Sequence, residues 1–171
     1  PLCRRLCRED NMAKYTFARP SDRDIEYVAA HLRQDNRQEL AALYGAGHEL
    51  DVLKRSVRYS ELIGCFYVDG VPAAIYGVRS PAAICSVKCV WLLMTDETLK
   101  HRLVVGRYTK RFLRAIVAAY GPMSNKVDAG NAEILRWLRW LGAEISEPVQ
   151  CGIYNLPHRE FYFDEKILKE G

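Results

Sequence analysis

The run Asn125-Lys126-Val127-Asp128-Ala129-Gly130-Asn131, followed by Ala132-Glu133-Ile134-Leu135-Arg136-Trp137-Leu138-Arg139-Trp140-Leu141-Gly142, decides how the chain is read. Val127 and Ala129 alternate with polar neighbours as a short strand does, and Gly130 breaks the run. Asn131 offers a side-chain oxygen to the first amides of a helix whose apolar positions, Ile134, Trp137, Leu138 and Leu141, recur at helical spacing. Gly142 stops that helix. A strand that ends in a polar turn and feeds a capped helix leaves unpaired amides at its carboxyl end, where α/β sheets commonly bind ligands. The stretch therefore predicts an α/β domain with a site at this turn. It carries no reaction by itself.

Working outward, residues 87–94 read as a strand buried on both faces, which suits the centre of a sheet. Thr95-Asp96-Glu97-Thr98 then supplies polar groups and a cap for one long amphipathic helix, which Gly121-Pro122 ends. Upstream, residues 61–68 and 71–78 flank Asp69-Gly70, the strongest hairpin signal in the chain. Tyr15 and Phe17 alternate as a first strand, and Ser21 or Asp22 caps a helix bearing Ile25, Val28, Ala29 and Leu32. A break falls near residues 34–36, after which helical spacing resumes in Leu40, Leu43 and Tyr44 and again in Leu50, Leu53 and Val57. Downstream of the opening stretch, residues 144–154 read as a strand, Asn155-Leu156-Pro157 as a turn, and residues 160–163 as the closing strand.

A chain of 171 residues, 49% hydrophobic and 27% charged, suits one folded domain and argues against a disordered chain or a fibrous repeat. Its net charge of +4 is too small and too dispersed for a duplex-binding stripe, so nucleic acid is not an expected partner. No apolar run approaches the roughly 20 residues that cross a bilayer, so no membrane partner is expected either. The cysteines at 3, 7, 65, 85, 89 and 151 lack paired CxxC spacing. They read as reduced small hydrophobes of a cytoplasmic protein, without a metal site. Residues 1–11 read as an extension foreign to the natural chain or, alternatively, as a native basic arm. Residues 12–171 form the single domain.

This order of elements resembles the GCN5-related N-acetyltransferase (GNAT) fold. Asn131, with Gly142 eleven positions later, resembles that family's second cofactor motif, and the likeness covers about residues 15–163. More narrowly, Arg19-Pro20-Ser21-Asp22, Leu32-Arg33-Gln34-Asp35-Asn36-Arg37-Gln38-Glu39, Trp91-Leu92-Leu93-Met94-Thr95-Asp96 and Ile134 through Gly142 are similar to small acetyltransferase-like proteins of tailed phages. Some of those are described as internal virion proteins. The resemblance implies a GNAT-like α/β domain with a mixed, mostly antiparallel central sheet flanked by helices. It implies acyl transfer from acetyl-CoA to an amine on a small molecule or protein, in the cytoplasm of a bacterial host. The alternative is a catalytically degenerate virion or host-interaction protein.

By the same resemblance, Asn131 would orient the pantetheine arm, backbone near Leu93 and Met94 would contact the acetyl carbonyl, and Asp96 or Asp128 would take the amine's proton. Plain helix capping and helix-start acidity are the competing roles for Asn131, Asp96 and Asp128. Arg33, Asp35, Arg37 and Glu39 fall where the acceptor loop sits, or else pair with one another in water. Two departures stand out. The family's phosphate loop, Gln/Arg-x-x-Gly-x-Gly/Ala, corresponds to Lys100 through Arg107, where Gly106 is the one glycine; Lys100, His101, Arg102 and Arg107 would supply charge in place of the lost amides. The tyrosine acid seven positions after the asparagine is Leu138, which has no proton to give.

Overall fold

The structure, a computed structural model, describes residues 14–81 and 86–169; the extension at 1–11 and Cys3, Cys7 and Cys85 lie outside them. In chain order the elements are β1 (Tyr15–Ala18), α1 (Asp22–Ala30), α2 (Gln34–Tyr44), α3 (Glu49–Arg58), β2 (Leu62–Val68), β3 (Val71–Arg79), β4 (Lys88–Met94), α4 (Glu97–Lys100), α5 (Arg102–Tyr120), β5 (Met123–Asp128), α6 (Ala132–Trp140), β6 (Glu144–Cys151), β7 (Leu156–Phe163) and α7 (Lys166–Lys169). The seven strands form one sheet in the order β1-β2-β3-β4-β5-β7-β6.

Local chemistry accounts for most of these boundaries. Ser21 and Asp24 form a reciprocal capping box that starts α1. Asp69 and Gly70 both take positive φ, 50° and 81°, as a tight turn matched to strand twist requires. The polar segment 34–36 is not a break but the first turn of α2, and the interruption falls at residues 31–33 instead. The long helix is divided at His101, which ends α4 and begins α5. The turn before β7 lies at residues 152–155, so Leu156 and Pro157 belong to the strand.

Helices cover both faces of the sheet. On one, Ile25, Val28, Leu40 and Leu53 pack with Cys65, Ile75 and Leu93. On the other, Leu113, Ile116, Leu135 and Leu138 pack with Val78, Met123, Val127 and Phe163. Every strand pair is antiparallel except β4 with β5, which are joined through the crossover helix α5 and run parallel. That pair meets only at Lys88–Met123 and Cys89–Ser124. One further tie follows, from the Asn125 amide to the Val90 carbonyl at 2.9 Å. Beyond it the strands diverge. The strand expected to be buried on both faces is only half-buried from Lys88 to Leu92, and buried at Leu93 and Met94.

Candidate active site

The divergence of β4 and β5 makes a wedge through the middle of the sheet, and the two faces of the molecule supply different chemistry to it. On the α1–α3 side, α2 lies across the opening. Residues three apart on a helix share a face, and Asn36 and Glu39 use that spacing to grip one strand each. The buried Asn36 side chain accepts from the Met94 N–H at 2.9 Å, and the Arg33 N–H donates to the Met94 carbonyl at 2.9 Å. One turn later, the Glu39 carboxylate accepts from the Asp128 backbone amide at the end of β5. Burial, opposed by that amide and reinforced by the charges of Asp128 and Asp35, pushes the Glu39 carboxyl up from 4.5 to about 7.

The wedge holds a cavity of about 130 Å³ that reaches from Asn36 and Glu39, past Leu92 and Lys126, to Trp137 and Leu138 on the other face. There it adjoins a larger groove of about 560 Å³ between the start of α5 and α6, with Met94, Ile134 and Trp137 lining both. Arg33, Arg102 and Arg107 line the groove, and Glu133 is the one acid among its lining residues. Arg102 and Arg107 make no ion pair among the described residues. The other two basic side chains of that segment are engaged: Lys100 pairs with Glu97 at 2.7 Å, and His101 bridges Glu97 and the Tyr15 hydroxyl.

Backbone alternation decides which β4 groups face the wedge. Met94 turns its N–H and C=O away from β3, toward Asn36 and Arg33, while the Thr95 N–H bonds Ala73 on β3. Leu93 therefore directs its backbone to β3, and Leu92 directs its own into the opening. Of the two amides expected near an acetyl carbonyl, Leu93's belongs to the sheet and Met94's is taken by Asn36.

The remaining expected site residues separate in space. Asn131 caps α6, its side chain accepting from the Ile134 N–H at 3.1 Å, which leaves its amide nitrogen as a donor. Asp128 is exposed and its carboxylate closes the turn by accepting from the Gly130 N–H at 2.9 Å. Asp96 is exposed at the start of α4 and caps nothing with its side chain. Neither acid lines the wedge cavity. The four charges at 33–39 do not form one cluster: Arg33 pairs with Asp35 at 3.1 Å and lines the groove, Arg37 ties α2 to Glu49 and the Ala30 carbonyl, and Glu39 alone of the four lines the wedge. Gly106 is buried on the groove wall against Trp140, and Leu138, in the tyrosine position, is buried in the core.

The seven-stranded sheet with its flanking helices has counterparts among solved structures. The aminoglycoside N(6')acetyltransferase of Legionella pneumophila superposes with a TM-score of 0.72 at 12% identity, over 92% of this chain and 96% of that one. An N-acetyltransferase from Staphylococcus aureus Mu50 matches with a TM-score of 0.63 at 11% identity, over 88% and 98%. The Salmonella typhimurium protein yncA, solved with its cofactor acetyl-CoA, matches with a TM-score of 0.60 at 14% identity, over 88% and 93%. The chain has the GNAT fold. No protein-family profile matches the sequence, and no curated protein does so.

Within that fold, the expected single α/β domain with a mostly antiparallel sheet is what the chain forms. Among the described residues no group of His, Cys, Asp or Glu is placed to hold a metal ion, and no helix is long and apolar enough to cross a membrane. Sequence reasoning missed Asn36 and the raised Glu39 carboxyl. The available signal was their i, i+3 spacing in an otherwise polar helix start, which reads equally well as a solvated face.

Proposed function

We propose that the protein is an acyl-CoA-dependent N-acyltransferase acting on a cationic amine, with Glu39 as general base. The observation that carries this reading is the Glu39 carboxyl, poised near 7 at the wedge, across the sheet from a groove lined by unpaired arginines. A base works best when its proton affinity lies near the operating pH. The cofactor, when bound, supplies an activated thioester. Arg102 and Arg107 would hold its phosphates as point charges in place of a glycine nest, and the free amide nitrogen of Asn131 and the Leu92 backbone would orient the pantetheine arm and the acyl carbonyl.

Glu39 would accept the proton that the acceptor amine gives up. Leu138 offers no proton to a thiolate leaving group, so solvent would have to supply it. The negative potential of Asp35 and Asp128, which keeps Glu39 protonated longer, also favours a cationic acceptor. Similarity of Arg19 to Asp22, Leu32 to Glu39, Trp91 to Asp96 and Ile134 to Gly142 to tailed-phage proteins supports a setting in a phage-infected bacterial cell.

A second reading is favoured by a specific observation. The Met94 amide is already bonded to Asn36, and the segment in the phosphate-loop position, Lys100 through Arg107, is taken up by the end of α4 and the first turns of α5. Both suit a GNAT-fold virion or host-interaction protein without turnover. The test is thermal stability with and without millimolar acetyl-CoA, with dephospho-CoA as control, since a ligand that binds only the folded state raises the midpoint. A rise specific to the full cofactor, together with thiol release when amines are added, supports the enzyme. A rise without thiol release across polyamine, aminoglycoside and peptide amines supports the binding protein. No rise removes the acyl-CoA reading.

A further inference from the structure

A third cavity, of about 80 Å³, lies between the sheet and α5, and neither the cationic groove nor Glu39 accounts for it. Its walls are aromatic and aliphatic: Phe17, Phe66, Ala74, Tyr108, Phe112 and Ile116. Thr109, on its helical wall, donates its hydroxyl back onto the Val105 carbonyl at 2.8 Å. Ring contacts brace the walls, with centroids 5.1 Å apart for Phe17 and Tyr108, 5.1 Å for Phe17 and Phe66, and 4.4 Å for Tyr76 and Phe112. The volume persists because Ala74 is small where its β2 partner is Phe66 and its β4 partner is Met94, and braced rings do not collapse into the gap.

The position of this cavity matters more than its size. Val90, Leu92, Thr109 and Leu113 line both it and the wedge cavity, so the two spaces adjoin beside Leu92, whose backbone faces the opening. A chain attached to a carbonyl held at Leu92 has this apolar arm as its nearest dry continuation. We propose that the arm is an acyl-chain pocket, and that the preferred donor carries a short straight acyl group longer than acetyl. This rests on the acyl-CoA reading above. With roughly half the volume of a 150 Å³ cavity that admits benzene, the arm has room for on the order of three carbons beyond the carbonyl, which is a butyryl group.

The test is calorimetric binding of CoA, acetyl-CoA, butyryl-CoA and octanoyl-CoA to the full chain, repeated on Ala74→Val, which fills the arm from the sheet, and on Phe17→Trp, which fills it from β1. Each buried methylene is worth about fourfold in affinity, so butyryl-CoA is expected to bind about 15-fold more tightly than acetyl-CoA. Octanoyl-CoA is expected to gain nothing over butyryl-CoA, and either variant, melting cooperatively, is expected to bind butyryl-CoA no better than acetyl-CoA. Equal affinity of the wild type for acetyl- and butyryl-CoA overturns the pocket and leaves the acyl-CoA reading standing. A steady gain through octanoyl overturns it too, because the chain then lies along an open surface. Binding of none of the four, CoA included, removes the acyl-CoA reading and the pocket with it. The wild-type chain-length profile decides the matter even if both variants fail to fold.

Discussion

Replacing Glu39 by glutamine separates the electrostatic character of the site from its shape. The amide keeps an oxygen for the Asp128 N–H but does not titrate. In the wild type the folded-state value, about 7, lies above the ordinary 4.5. Between those values the native chain holds a proton that the unfolded chain has released, so stability falls as pH rises through this window. Below 4.5 the group costs nothing. Above 7 the full penalty applies, which from the difference of the two values is about 3 kcal/mol as an order of magnitude.

Glu39→Gln is therefore expected to match the wild type in denaturant unfolding near pH 4.5 and to be more stable near pH 8, by as much as about 3 kcal/mol. For a domain of this size that gain corresponds to about 6–12 °C in midpoint. Activity runs the other way: acyl transfer to an amine is expected to fall about 10²- to 10⁴-fold and to lose the rising limb near pH 7. A variant whose stability parallels the wild type from pH 4.5 to 8 refutes the burial argument for Glu39. A variant that is stabilised but retains full turnover refutes its role as base.

Other substitutions probe the surrounding contacts. Asn36→Ala leaves the Met94 amide without its acceptor in a buried setting, and is expected to cost about 1–3 kcal/mol in urea unfolding; an unchanged midpoint would mean that this bond does not staple α2 to β4. Arg102→Ala with Arg107→Ala is expected to leave the melting temperature of the apo chain unchanged, while weakening acetyl-CoA at least tenfold and flattening its salt dependence in titrations. His158, buried on β7 opposite Asp128, has no hydrogen-bond partner for its Nε2. His158→Leu is expected to be neutral or stabilising in a thermal melt, because an orphaned buried polar atom costs free energy; a marked loss would show that this nitrogen has a partner in solution.

The elements themselves were legible because their causes are local. The Ser21–Asp24 capping box, the Asp69-Gly70 turn and the Asn131 cap each act within a few residues, and alternation or helical spacing names the buried face of each element. The order of those elements carried the resemblance that gave the fold. Where local reading failed, the causes were distant. Residues 34–36 read as a break because their polarity suits solvent, whereas Asn36 is buried by a partner 58 positions away on β4. Residues 87–94 read as one doubly buried strand, since nothing in an apolar run reveals that its neighbour strand pairs with it over two residues only.

The sequence by itself determined the helices and strands, their succession, and the cap and turn at Asn131 and Asp128. Tertiary structure alone decided the chemistry. Asp128 and Glu39 are both carboxylates, yet Asp128 closes a turn in water while Glu39, carried across the sheet by α2 and packed in the wedge, holds its proton to about 7. Proton affinity and cavity shape depend on what surrounds a group in space, and those surroundings exist only after strands far apart in the chain have met and, between β4 and β5, parted.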